Sequence, residues 1–236
     1  MPAIYRKEMQ SYFYTPAAYV FMGVFLTLSG LFFGLTNLRE RSGNLLTLMS
    51  MLGYLWMLLS PVLVMRPGAG ERAKGTDKLW YSSPCSLTAV VTGKYLAACT
   101  VLMLTIGMTF FYAAIVAIWG TLYVAETLVG YLGLILQGCA FLALDLLVSC
   151  AVASQATAVI IGVGANLAVW LSDLLADAAG GTVLESVLNF ISLYQRFVPF
   201  AQGQLRFSCV LYYLAFIFCM LFLCVRVTDR RRWSEA

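Results

Sequence analysis

Residues 45–65 read LLTLMSMLGYLWMLLSPVLVM, and residues 66–86 read RPGAGERAKGTDKLWYSSPCS. The first is 21 residues without a charge, long enough to cross the hydrocarbon of a bilayer as a helix. The second places Arg66, Glu71, Arg72, Lys74, Asp77 and Lys78 in a chain that is only 11% charged. A charged segment of this kind belongs in water, so the chain leaves the membrane here and must return.

It returns at once. An apolar run from about Leu87 to Trp119 is longer than one crossing needs and predicts a tilted or protruding helix. Further runs lie at about 17–38, 127–153, 156–175 and 207–225. Six spans are expected in a chain of 236 residues that is 61% hydrophobic, with mean hydropathy +0.86. The fold class is an all-α integral membrane protein, residues 1–236 forming a single domain. An even number of spans puts both termini on one side. That side would carry Arg6, Lys7, Arg66, Arg72, Lys74, Lys78, Lys94, Arg226, Arg230, Arg231 and Arg232. The other would carry Arg39, Arg41, Arg196 and Arg206. The basic side is expected to be cytoplasmic, in a cell inner membrane. The first apolar run is span-length with no small-residue cleavage pattern, so no cleavable signal is expected.

Two further segments flank these spans. In 1–16, Tyr5, Met9, Tyr12 and Phe13 share a helical face while Arg6 and Lys7 lie off it. This predicts an interfacial helix ended at Pro16 and resting on membrane lipids. Residues 176–206 hold a Gly-Gly hinge and apolar positions from Val183 to Phe197 at helical spacing. A surface helix ended by Pro199 is expected there, on the external side.

Composition excludes much chemistry. Histidine is absent, removing the commonest general base and metal ligand. The seven cysteines form no Cys-x-x-Cys pair, so neither a metal nor a catalytic residue is predicted. A net charge of +4 gives no case for nucleic acid. Asp145 stands in mid-span. It is either a pathway or gating residue or a side chain bonded locally, to Ser149 or Gln137. Gln137 and Asn166 fit interhelical hydrogen bonding better than a pathway.

In the charged segment, Pro67, Gly68 and Gly70 are read as stopping the preceding helix. Gly75 permits a turn, Thr76 can cap a short new helix with Asp77 in its first turn, and Pro84 ends it. Pro61, Met65-Arg66, Glu71, Gly75-Thr76, Leu79, Ser83-Pro84 and Gly93-Lys94 follow in an order that resembles the permeases of ABC-2-type exporters. Tyr5-Arg6-Lys7-Glu8, Ser11-Tyr12-Phe13 and Pro16 to Phe21 resemble the opening of the gliding-motility subgroup. Ser149 with Ser154-Gln155, Phe197 and Gly203, and the ending Val225 to Trp233 extend the likeness over nearly the whole chain.

The resemblance implies a permease half that pairs with a second copy or a related chain. Separate cytosolic ATPase subunits would bind ATP and Mg, and a subunit with a large periplasmic domain is a further partner it suggests. Residues 66–86 become a coupling loop whose helix sits on the ATPase. Glu71, Arg72, Lys74, Gly75, Thr76, Asp77, Lys78, Leu79, Trp80 and Pro84 are the expected contacts. The chain has no phosphate-cradling Gly-x-x-x-x-Gly-Lys-Ser/Thr loop of its own, so it is expected to need no cofactor and to be no enzyme. The cargo stays open among lipids, lipoproteins and other amphipathic molecules. A membrane scaffold or channel-like subunit without ATP coupling is the competing reading.

Overall fold

The computed structural model describes residues 2–39, 43–73, 75, 86–120, 123–178 and 192–234. Among these, every regular element is helical. Helix α1 is Pro2–Tyr14 and α2 is Ala17–Phe33, continued by a π-helical turn, Gly34–Leu38. Helix α3 is Leu46–Val64, followed by a π-helical segment, Arg66–Gly70, and a last turn, Glu71–Ala73. Then come α4 Leu87–Trp119, α5 Val124–Ala151, α6 Gln155–Ala178, α7 Tyr194–Ala201 and α8 Phe207–Ser234. Six of these helices, α2 to α6 and α8, are long and apolar enough to cross a membrane. The chain is an all-α, multi-pass membrane protein.

Helix α5 is the axis, packing on α3, α4, α6, α7 and α8. Its buried stripe includes Gly130, Gly133, Gly138 and Ala140. Small residues here let neighbouring backbones approach, which is how helices associate where lipid supplies no hydrophobic drive. Trp56 of α3 fills the centre, edge-on to Phe21 and Phe25 of α2.

At 33 residues α4 is about 50 Å long, against a hydrocarbon thickness of about 30 Å. Helix α1 packs on the first half of α4: Ile4 lies against Gly93, and the Tyr5 hydroxyl bonds Thr100 Oγ1 at 2.9 Å. The predicted polar face of α1 is exposed, Arg6, Lys7 and Gln10 included, while Tyr5, Met9 and Phe13 are half-buried. The residues most deeply buried are Ile4, Glu8 and Tyr12, so the face turns toward protein, with a carboxylate at its centre.

The reading of Pro67-Gly68-Ala69-Gly70 as a helix stop is corrected. The helix of α3 runs through it to Ala73 by widening into a π-helical turn, with Gly70 N–H donating to Met65 O at 3.1 Å. It stops at Gly75, whose φ of 66° lies in the left-handed region open to glycine and whose N–H closes on Arg72 O at 2.9 Å. The predicted end of the external helix at Pro199 is also corrected. Pro199 lies within α7, and Gly203, with φ 73°, turns the chain. The apolar stretch from Val183, expected to be helical, lies mostly outside the described residues.

Candidate functional site: the basic-end junction and the polar core beneath it

Four elements meet at the basic end: α1, the end of α3, the start of α4 and the α5–α6 turn. Lys94 of α4 is buried, and its ammonium donates to Glu71 Oε2 at 2.5 Å and to the backbone carbonyl of Pro67. Lys7 of α1 reaches the other oxygen of Glu71 and also lies 3.3 Å from Glu8. Glu71 therefore joins three elements, with only 13% of its side chain exposed. Losing one member of such a pair strands the other charge and costs about 3–5 kcal/mol. Arg72, beside it, donates to Val152 O at 3.0 Å and ties in the α5–α6 turn.

Glu8 is a member that sequence reasoning placed among the resemblance motifs but not among the site residues. Burial pushes its carboxyl above the usual carboxylate range, and the nearby ammonium of Lys94 opposes that only in part. Burial also raises the Tyr12 phenol, so the hydroxyl keeps its proton and serves as a donor.

That donor is used on α3. Pro67 has no N–H, so the carbonyl of Leu63, four residues earlier, lacks its helical partner. Tyr12 Oη donates to it at 3.1 Å. The same occurs six residues earlier on α3. Pro61 leaves Met57 O without a partner, and Asn166 Nδ2 of α6 donates to it at 3.0 Å. In hydrocarbon an open carbonyl costs several kcal/mol, so neighbouring side chains are needed to close it.

Just past Leu63, Ser149 of α5 enters the π-helical turn. Its hydroxyl accepts from Ala69 N–H at 3.0 Å and donates to Val64 O at 2.9 Å. Such close approach needs Gly68, since a Cβ there would stand 2.7 Å from the Ser149 carbonyl carbon.

Asp145 is buried at the crossing of α3, α5 and α6. Ser60 Oγ donates to its Oδ2 at 2.5 Å and Asn166 Nδ2 to its Oδ1 at 3.1 Å. The expectation of Ser149 or Gln137 as partners is corrected. Ser149, one turn on, faces the π-helical turn, and Asp145 reaches across to its neighbours instead of along its own helix. Asn166 makes the interhelical bonds expected of it. Gln137 is buried beside Gly53, and its Oε1 has no partner among the described residues.

Of the expected partner contacts, Glu71, Arg72 and Gly75 are placed as above. Lys74, Thr76, Asp77, Lys78, Leu79, Trp80 and Pro84 lie outside the described residues. The described Cys, Asp and Glu residues form no cluster able to hold a metal.

The family model described as ABC-2 family transporter protein matches residues 68–226. No curated protein matches the chain.

Proposed function

Because this chain belongs to the ABC-2 family of transporter proteins and is a transporter's membrane subunit, we propose that it is the permease half of an ATP-driven exporter. Its family generally works with cytosolic ATPase partners, and in this reading they grip the coupling loop, residues 66–86, through contacts between Glu71 and Pro84. ATP and Mg belong to those partners, and this chain is non-catalytic. A second copy, or a related chain, completes the pathway. The cargo class is lipid, lipoprotein or another amphipathic molecule, moved across or out of the cytoplasmic membrane, with both termini in the cytoplasm. The likeness to the gliding-motility subgroup rests mainly on Tyr5 to Phe21 and Val225 to Trp233, largely outside residues 68–226. It supports kinship with that subgroup and says nothing of motility.

The observation that carries the coupling reading is the double anchorage of Glu71 at the root of the segment. Displacing the segment would pull on α3 directly, on α4 through Lys94 and on α1 through Lys7. A solvated loop with no mechanical task has no need of a nearly buried ion-pair relay at its root. The test is a photo-crosslinking residue at Trp80 in the full assembly. Capture of a nucleotide-hydrolysing subunit from the cytosolic side is expected. Labelling of Trp80→Cys from the opposite face by an impermeant thiol reagent would refute the reading.

A further inference from the structure

Arg66 stands where two clefts meet. One, of about 340 Å³, is polar and is lined by Ser11, Thr15, Gln155 and the carboxylates Glu8 and Glu71. The other, of about 280 Å³, is an apolar slot between α2 and α3, lined by Ala17, Val20, Phe21, Val24, Val62 and Leu63. Tyr12 and Arg66 border both. Val20 and Val24 are 61% and 42% exposed, so the slot opens sideways, toward the bilayer in a protein whose α2 and α3 span it.

The guanidinium has no internal answer. Arg66 is half-buried, and among the described residues it makes no hydrogen bond or ion pair. The two carboxylates of the polar cleft are engaged elsewhere: Glu71 by Lys7 and Lys94, Glu8 by Lys7. A partly desolvated arginine attracts a phosphate, whose oxygens fit its planar fork. A membrane phospholipid offers a phosphate beside a hydrocarbon chain at this level.

We infer that the two clefts hold a single anionic phospholipid, its phosphate on Arg66 and one acyl chain in the α2–α3 slot. This goes beyond the transport reading and depends only on the spans lying in a bilayer. The headgroup contact favours net negative lipids, because a choline headgroup brings its own cation to the same place. The bound lipid would brace α1 against α2 and α3, next to the Glu71 junction.

The test uses full-length protein in nanodiscs containing equal amounts of phosphatidylglycerol and phosphatidylcholine, extracted gently and analysed by native mass spectrometry. The unmodified protein should retain phosphatidylglycerol over phosphatidylcholine by about tenfold, the order expected when a choline cation is brought near the guanidinium. Arg66→Gln should lose the preference. Val20→Trp, which fills the slot and leaves the guanidinium in place, should lose the bound lipid of either kind. Arg6→Gln, on the exposed face of α1, should change neither. Equal retention of both lipids by the unmodified protein would overturn the site. So would a preference surviving Arg66→Gln, or one abolished equally by Arg6→Gln. Were Arg66→Gln to unfold, Val20→Trp retaining lipid like the unmodified protein would overturn it alone.

Discussion

Met57 and Leu63 each present a carbonyl that a proline four residues on cannot satisfy, and each receives a donor from a different helix. Asn166 and Tyr12 are therefore matched to Pro61 and Pro67. This makes a double-mutant cycle decisive. Asn166→Leu should cost about 1–3 kcal/mol, since it leaves Met57 O buried and unpaired. Adding Pro61→Ala restores an N–H to that carbonyl and should recover part of the loss, beyond additivity. Reversible unfolding in mixed micelles measures both. Equal costs with and without the proline would show that Asn166 acts only through Asp145.

Glu8 gives a pH dependence with a definite sign. Its folded carboxyl binds a proton more readily than the unfolded one, whose ordinary value is 4.5. The stability it contributes is present at and below that value and is lost as pH rises through the raised folded value. Glu8→Gln should therefore unfold at higher temperature than the unmodified protein at neutral pH. That advantage should shrink as the buffer is brought toward pH 4.5. Sequence reasoning put Lys7 off the helix's apolar face correctly but did not place a carboxylate on its buried face. Nothing in apolar periodicity marks Glu8, because burial there depends on Lys94, contributed by α1's neighbour α4 from 86 positions away.

At the scale of elements, the six spans were legible because length and apolarity alone define a crossing, and α4 was recognisably too long. The π-helical turn was not. Proline and two glycines in four residues ordinarily end a helix. Here Ser149 supplies the donor and acceptor that keep it going, and a side chain from 80 residues away leaves no local trace. The crossing can be tested. Gly68→Ala places a methyl against Ser149 and should destabilise the fold by about 1–3 kcal/mol. Gly164→Ala, with no atom within 4 Å of the added carbon, should stay within about 0.5 kcal/mol. Thermal melts of the two variants in detergent separate these outcomes.

For the whole molecule, the family motifs scattered over the chain turn out to meet. Gly93 admits Ile4, Lys94 pairs with Glu71, Ser149 enters the π-helical turn, and Gln155 lies over Gly70. Their order in the sequence signalled a family. Their convergence supplies a physical reason for the residue types: they set the angle at which α1, α3, α4 and the α5–α6 turn join. Asp145, legible as anomalous from the sequence, is held by Ser60 and Asn166 in the layer beneath, which ties α3, α5 and α6 together. The basic end is thus one braced block, and the segment that follows Gly75 is where the proposed ATPase would move it.

The most direct measurement is recovery of nucleotide-hydrolysing activity with the tagged chain purified from its native membrane. The unmodified protein should bring an ATPase subunit with it, and Gly75→Val with Leu79→Asp should lose that subunit while remaining folded in the membrane. An ATPase retained undiminished by the double variant, or none recovered with the unmodified chain, would contradict the account.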